Sequence, residues 1–501
     1  MSNANSLPPR KATGIEGLDN ILQGGFPANR IYLVEGEPGT GKTTLALQFL
    51  MEGVKHGESS LYVTLSETRE ELLAVAQSHG FDLQGVAIHE MVPSDEMLKP
   101  EAQYTIFHPS EVELSDTIGA VLAEVERSNP RRVIFDSLSE MRLLARDPLR
   151  YRRQILALKQ YFIGRQCTVL LLDDKTSDSH DLQLQSIVHG VVSLDHLALE
   201  YGAERRRMRV IKLRGSRFRG GYHDFNIETG GVQVFPRLVA SEHRQPTETG
   251  EAGSGVTELD ALLGGGLSRG TSTLSIGPAG AGKSTLTAQF AVAAAARGEK
   301  AAIFIFDEIT SIYRSRLRGV GTPIDDYMES GLISLQQIDP AELAPGEFAH
   351  AVVKAVEKDG ARVIIIDSLN GFMNAMPEER FLTIQMHELL TYLNQRGVVT
   401  LLVMAQHGIM GVGMASPVDV SYLADSVLMF RYFEAQGSVR RALSVIKKRS
   451  GQHESTIREL AITADGVRVG EPLTNFHGVL TGVPVFKPRA NVLLKEANDE
   501  A

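Results

Sequence analysis

Apolar residues along this chain gather in short, near-continuous runs, separated by stretches where they recur at helical spacing. In the first half the runs are "IYLVEG", "SLYVTL", "RVIFD" and "TVLLLD"; in the second they are "TLSIG", "AIFIF", "VIIID" and "VTLLVM". Runs so short, so rich in β-branched residues and so poor in polar alternation predict strands buried on both faces, as in a mostly parallel sheet. Segments between them, such as "TTLALQFLMEGVKHG", predict the covering helices. Each half is therefore expected to be an α/β domain: a mostly parallel twisted sheet flanked by helices.

The two halves are one pattern written twice. "TGIEGLDNILQGGFPANRIYLVEGEPGTGKTTLALQF" begins at Thr13, and "SGVTELDALLGGGLSRGTSTLSIGPAGAGKSTLTAQF" begins at Ser254, a displacement of 241 that persists to Glu67 and Glu308. It becomes 231 at "RRVIFDSLSE" against "ARVIIIDSLN", and 235 where "RRRMRVIKLRG" from Arg205 parallels "RRALSVIKKRS" from Arg440. Such self-similarity predicts two homologous units. They span 13–240 and 254–481, after a flexible N-terminus (1–12), with a polar linker (241–253) between them and a tail (482–501) behind.

Composition narrows the class. With 43% hydrophobic and 22% charged residues, the 501-residue chain reads as soluble and globular. No apolar run approaches the roughly 20 residues that span a bilayer, and the N-terminus lacks an apolar leader, so a cytoplasmic protein without membrane contact is expected. The single Cys167, inside "CTVLLL", allows no internal disulfide and reads as a buried small hydrophobe. A net charge of −10 argues against a protein that coats nucleic acid.

The chemistry lies in the repeated glycine-rich loop. Gly36 to Thr43 and Gly277 to Ser284 both fit G-x-x-x-x-G-K-[ST], each between a predicted strand and a predicted helix. In that setting Gly36, Gly39, Thr40, Gly41 and Thr44, with Gly277, Gly280, Ala281, Gly282 and Thr285, form loops whose N–H groups wrap the phosphates of ATP. Lys42 and Lys283 contact the β- and γ-phosphates, and Thr43 and Ser284 offer a hydroxyl to Mg²⁺. The acidic metal ligands are Asp136 and Asp367, which end the strands "RRVIFD" and "RVIIID". A third strand end carries Glu67 in "LSET" and Glu308 in "FDEI", candidates for polarising an attacking water or hydroxyl, with Asp307 sharing the task.

The stretch "RRRMRVIKLRGSRFR" (205–219) holds eight basic residues and no acid. It suits contact with a nucleic-acid backbone. It equally suits delivery of Lys212 and Arg214, and of Lys447 and Arg449 in the second unit, to a neighbouring subunit's γ-phosphate. Because the second unit keeps those cations and thins the charge around them, the interface reading is preferred.

Together the doubled P-loop unit, the "TGIEGLD…GGFP" lead-in, the "IFDS" and "IIDS" strands, "KLRG" and the closing "GEPLTNFHGVLTGVP" resemble the KaiC family of the RecA/DnaB superfamily, over about residues 11 to 485. The resemblance implies two tandem RecA-like domains and a double-ring homohexamer with ATP between subunits. It implies a first ring that hydrolyses ATP and a second that autophosphorylates. The family's paired catalytic glutamates fall on Ser66 with Glu67 and on Asp307 with Glu308, so the first carboxylate of each pair is replaced or shortened. Its phospho-acceptor pair falls on Ser421 and Tyr422, with Ser416 nearby, and Ser421 is the acceptor this sequence retains. The trans-acting segment falls on Lys212, Leu213 and Arg214 and on Lys447, Lys448 and Arg449, while Phe218 replaces an expected histidine. KaiB-like binding to the first ring and KaiA-like binding to the tail are the partner expectations.

The leading expectation is an ATP-driven signalling or timing hexamer, an ATPase with serine autokinase activity. The alternatives are a DNA-stimulated recombinase or motor of the wider superfamily and an ATP-bound scaffold.

Overall fold

The computed structural model describes residues 9–91, 109–145, 147–175, 182–199, 201–243, 250–374, 379–406, 422–480 and 485–486. They form two compact units, Met1–Arg237 and Leu238–Ala501. Each holds a nine-stranded sheet. In the first the strands are β1 (Ile31–Gly36), β2 (Ser60–Thr64), β3 (Val86–Glu90), β4 (Arg132–Asp136), β5 (Thr168–Asp174), β6 (Gly190–Leu197), β7 (Arg205–Leu213), β8 (His223–Glu228) and β9 (Gly231–Phe235). Their order is β3-β2-β4-β5-β1-β6-β7-β8-β9. Strands β3 to β6 in that row are parallel, and β7, β8 and β9 extend it antiparallel.

The second sheet repeats the plan. Its strands are β10 (Ser272–Gly277), β11 (Lys300–Ile305), β12 (Ile333–Gln337), β13 (Ala361–Asp367), β14 (Val399–Ala405), β15 (Ser426–Ala435), β16 (Ser438–Lys448), β17 (Ile457–Thr463) and β18 (Gly466–Pro472). Their order is β12-β11-β13-β14-β10-β15-β16-β17-β18. The α/β class and the mostly parallel sheets expected from the apolar runs are thus observed. The antiparallel extension of each sheet is additional to them.

Alternation along each strand divides the core in two, because successive side chains point to opposite faces. In β4, Val133 and Phe135 join one buried cluster with Leu33, Val63 and Phe162, while Ile134 joins the other with Leu45, Phe49 and Tyr62. In β13, Val363 and Ile365 go one way and Ile364 and Ile366 the other. Full burial of each such side chain stabilises by about 1.5–3 kcal/mol. The helices after the P-loops, α1 (Lys42–Lys55) and α3 (Lys283–Ala296), lie against their sheets, and the small residues of "AVAAAA" let α3 sit close.

One core position differs in kind. Arg132 is 2% exposed, donates from Nε to Glu58 Oε2 at 2.7 Å and from Nη1 to the carbonyls of Ala12 (2.6 Å) and Phe49 (2.8 Å), and lies 4.5 Å over the Phe49 ring. Val363 takes the matching register position in the second sheet. Cys167 is buried, and burial pushes its thiol up to about 12, so it packs as an inert small side chain. Past Arg237, the turn Ala240–His243 packs on the second unit, where Ala240 N donates to Glu388 Oε2 at 3.0 Å. Among the described residues no helix is long and apolar enough to cross a membrane.

Candidate functional site

In both units the central strand of the sheet ends in a loop that turns directly into a helix. Gly41 and Gly282 stand immediately before α1 and α3 with φ of 94° and 99°, a left-handed conformation that glycine adopts without strain. A Cβ at these positions would lie 2.4 Å from Ile227 Cδ1 and 2.3 Å from Ile462 Cδ1. Neither helix has a side-chain cap, so its first N–H groups and the positive end of its dipole face the loop. That is the geometry of a phosphate cradle.

The lysines lie folded into their loops. Lys42 Nζ donates to the carbonyls of Gly36 and Glu37, both at 2.9 Å, and pairs with Asp174 Oδ1 at 2.8 Å. Lys283 Nζ donates to the carbonyls of Gly277 (2.9 Å) and Pro278 (2.7 Å). In the sheet register Asp174 sits opposite Gly36, whereas Ala405 sits opposite Gly277. No acid therefore occupies that place beside Lys283, and burial lowers its pKa to about 8 against a weaker opposing pull from Asp367.

Asp136 and Asp367 end β4 and β13, where the parallel strands bring them up to the P-loop helix. Thr43 Oγ1 donates to Asp136 Oδ2 at 3.2 Å, and the Tyr62 hydroxyl donates to the same oxygen. Burial raises Asp136, and burial raises Asp367 to about 6 despite a hydrogen bond from Ser284. A hydroxyl beside a buried carboxylate is the all-oxygen donor set that suits Mg²⁺. A divalent cation would also relieve the desolvation that drives these acids toward their neutral forms. The residues present fit the metal.

The third strand end carries the glutamates, held differently in the two units. In the first, Thr64 Oγ1 donates to the Glu67 carbonyl at 2.6 Å and accepts from the Glu67 N–H at 3.0 Å. The helix α2 (Arg69–Ser78) begins at once with a full capping box of Thr68 and Glu71. The backbone is pinned, yet Glu67 Oε2 is buried without a hydrogen-bond partner, and burial, then Asp136 and Glu71, raises the carboxyl. In the second unit Ile309 precedes the helix α4 (Thr310–Gly319), without a side-chain cap. There Glu308 is paired with Arg316, and Asp307 accepts from Ser368 Oγ. A cavity of about 300 Å³ brings together Lys283, Ser284, Asp307, Glu308, Tyr313 and Asp367. Ser66 is exposed.

The cations proposed for a neighbouring subunit lie on β7 and β16 and just beyond them. Lys212 donates to the Gln185 carbonyl, exposed Arg214 donates to the Ser186 carbonyl at 2.6 Å, and Leu213 is buried. Lys447 donates to the Ala424 carbonyl at 2.6 Å, and Arg449 reaches Asp425 at 3.4 Å and the Tyr422 carbonyl at 3.2 Å. Lys448 is buried, donating to the carbonyls of Leu263 (2.5 Å) and Gly266 (3.2 Å) within its own unit. Arg207 and Arg209 lie 4.2 and 5.2 Å from the Tyr222 ring centroid, and Phe218 packs against the first-unit core. Tyr422 is exposed; Ser416 and Ser421 lie outside the described residues.

Reading by motif missed Tyr62, Asp174 and Arg316. Tyr62 looks like any core aromatic in a strand. The acidic pair at the end of "TVLLLDD" was a legible sign for Asp174, because an acid at a strand tip beside a P-loop rarely serves packing.

Comparison with known proteins accords with this geometry. The family model described as "ATPase: KaiC" matches residues 11–239 and again 252–474. Similar proteins are the circadian clock oscillator protein KaiC of Picosynechococcus sp., 27% identical over 94% of this chain and 92% of its own length, and KaiC 1 of Synechocystis sp., 27% identical over 95% and 93%. The circadian clock oscillator protein KaiC of Synechococcus elongatus is 26% identical over 94% and 91%. The chain belongs to the KaiC ATPase family.

Proposed function

We propose that this KaiC-family ATPase binds Mg²⁺ and ATP in both units, hydrolyses ATP, and transfers phosphate to its own Ser421 in the second. The observation that carries this is convergence, found twice: an uncapped helix N-terminus, a P-loop lysine, a hydroxyl and a buried carboxylate meet at the ends of adjacent parallel strands. Lys42 and Lys283 swing from the loop carbonyls to the β- and γ-phosphates, and the loop N–H groups hold the remaining oxygens. Thr43 with Asp136, and Ser284 with Asp367, hold Mg²⁺, which when bound offsets charge on the phosphate oxygens.

In hydrolysis a water oxygen bonds to the γ-phosphorus as the bond to the β-γ bridging oxygen breaks, giving ADP and phosphate. Glu67 in the first unit and Glu308 in the second take the water's proton. In autophosphorylation the Ser421 hydroxyl replaces that water, and Asp307 with Glu308 receives its proton. The working form in this reading is a cytoplasmic double-ring homohexamer. Lys212 and Arg214, and Lys447 and Arg449, complete the neighbour's sites with Leu213 and Lys448 as their buried supports, and KaiB-like and KaiA-like proteins are partner candidates. A phosphate adds about −1.5 to −2 charges, enough to bias a packed boundary between two arrangements.

The test is incubation with γ-labelled ATP and Mg²⁺, following free phosphate and protein-bound label together. Both appear in the native chain; the label disappears in Ser421→Ala and in Lys283→Ala. Unlabelled protein whose turnover rises with added DNA and falls with salt overturns the autokinase in favour of a nucleic-acid motor.

A further inference from the structure

In the second unit the candidate base is held by a guanidinium. Arg316, on α4, donates from Nη2 to Glu308 Oε2 at 2.8 Å and from Nε to Oε1 at 3.3 Å. Its Nη1 donates to Thr285 Oγ1 at 3.1 Å, and the guanidinium carbon lies 4.9 Å from the centroid of the fully buried Tyr313 ring. A planar fork that is bidentate at one edge, bonded at another and laid on an aromatic face has little freedom. With side chains 32% and 27% exposed, the pair is partly withdrawn from solvent, unlike the loose surface pairs that contribute little. Thr285 directly follows Ser284, so the same guanidinium joins the glutamate to the P-loop helix.

The first unit lacks this device. At the constant displacement of 241, Arg316 corresponds to Val75, and Thr44, the match of Thr285, lies 3.4 Å from His79 Nε2 instead. A carboxylate oxygen that accepts a proton from a nucleophile must be turned toward that nucleophile. Both oxygens of Glu308 are turned toward Arg316.

We infer that Arg316 is a latch on the second site: a positioning residue that holds Glu308 back from the nucleophile and so restrains turnover there, leaving the first site unrestrained. The inference rests on Glu308 being the second-site base. In the latched state each carboxylate oxygen accepts a hydrogen bond from the guanidinium; release breaks those two bonds, and the freed carboxylate then turns to the cavity it already lines.

The experiment uses the full chain carrying Glu67→Gln, so that steady-state ATP turnover reports the second site. Arg316→Ala is expected to raise kcat by about tenfold, less than the roughly 10²- to 10⁴-fold that a fully positioned base contributes because the latch restrains turnover without abolishing it, with KM for ATP nearly unchanged. Arg316→Gln, which removes the charged fork but keeps part of the aliphatic stem, gives the same direction and guards against a folding defect in the alanine variant. Arg316→Lys keeps a cation beside Glu308 and stays near the parent. Adding Glu308→Gln to Arg316→Ala removes the gain. A lowered kcat, or a raised KM with kcat unchanged, in a variant of unaltered melting temperature overturns the latch. If Glu308→Gln alone leaves turnover unchanged, the reading of Glu308 as base fails first, and that result is distinct from a base that is confirmed but gains nothing when Arg316 is removed.

Discussion

The two units fix the same glutamate by opposite means. Around Glu67 the backbone is held, by Thr64 and by the Thr68–Glu71 capping box, while the carboxylate has an unpartnered buried oxygen. Around Glu308 the matching residues are Ile305, Ile309 and Ile312, which cannot make those bonds, and the carboxylate itself is held by Arg316. The lysines diverge too: Lys42 has Asp174 beside it, and in the second unit Ala405 takes that register position opposite Gly277. Duplication preserved the phosphate cradle and let its surroundings diverge. A site with a positioned, unpaired base suits steady hydrolysis, and a site with a restrained base suits transfer to a protein hydroxyl, where loss of phosphate to water is a competing reaction.

The sharpest way to break this comparison is to remove each base. Glu67→Gln is expected to lower turnover at its own site by about 10²- to 10⁴-fold, and Glu308→Gln to lower it by less because Arg316 already restrains that base, each with little change in nucleotide affinity. Phosphate release measured on both variants checks this, and an equal small effect at the two sites would erase the distinction.

Next in size is a stability difference. Arg132→Ala leaves Glu58 without its buried partner and is expected to cost about 3–5 kcal/mol in the first unit, read as an earlier first transition in denaturant. The second unit has Val363 at that position, and its matching Glu299 pairs instead with Arg269, which is less deeply buried than Arg132.

The third prediction concerns pH. Lys283 must be charged to hold phosphate, and its pKa in the free site is about 8, so affinity at the second site is expected to fall as pH rises through about 8. Bound phosphate holds the proton more tightly, which makes the fall about tenfold per pH unit until the bound lysine also titrates. Below about 6 the proton on Asp367 competes with Mg²⁺, and affinity falls again. Nucleotide titrations from pH 5 to 9 check both limbs, and Ala405→Asp, which copies the acid beside Lys42, is expected to move the alkaline limb upward.

The smallest effect is at the caps. Thr68→Ala is expected to cost about 1 kcal/mol of stability, and Ile309→Ser to gain a similar or smaller amount, as thermal unfolding will show.

Much of this was legible because the physics that made it is local. A parallel strand buried on both faces is a run of apolar residues, and a P-loop is a fixed spacing of glycines, a lysine and a hydroxyl. So β1, β2, β4 and β5 and their counterparts, with both P-loops, are readable from the chain. The antiparallel extensions are not, because β7 reads "RRRMRVIKL", and charge at that density hides a strand whose buried positions are few. Arg316 was illegible for another reason: its partner lies eight residues away, and nothing in the spacing distinguishes it from Arg314 or Arg318, which pair with Asp325 instead. A motif reports what touches the nucleotide. It is silent about what restrains the residues that do.

The central claim is that each chain carries two ATP sites of different character, and counting bound nucleotide tests it most directly. Equilibrium binding of labelled ATP with Mg²⁺ should give two per native chain and one in each of Lys42→Ala and Lys283→Ala, with the site left in Lys42→Ala weakening as pH rises through about 8. One ATP per native chain, or a second site whose affinity is unchanged as pH rises through about 8, would contradict the account.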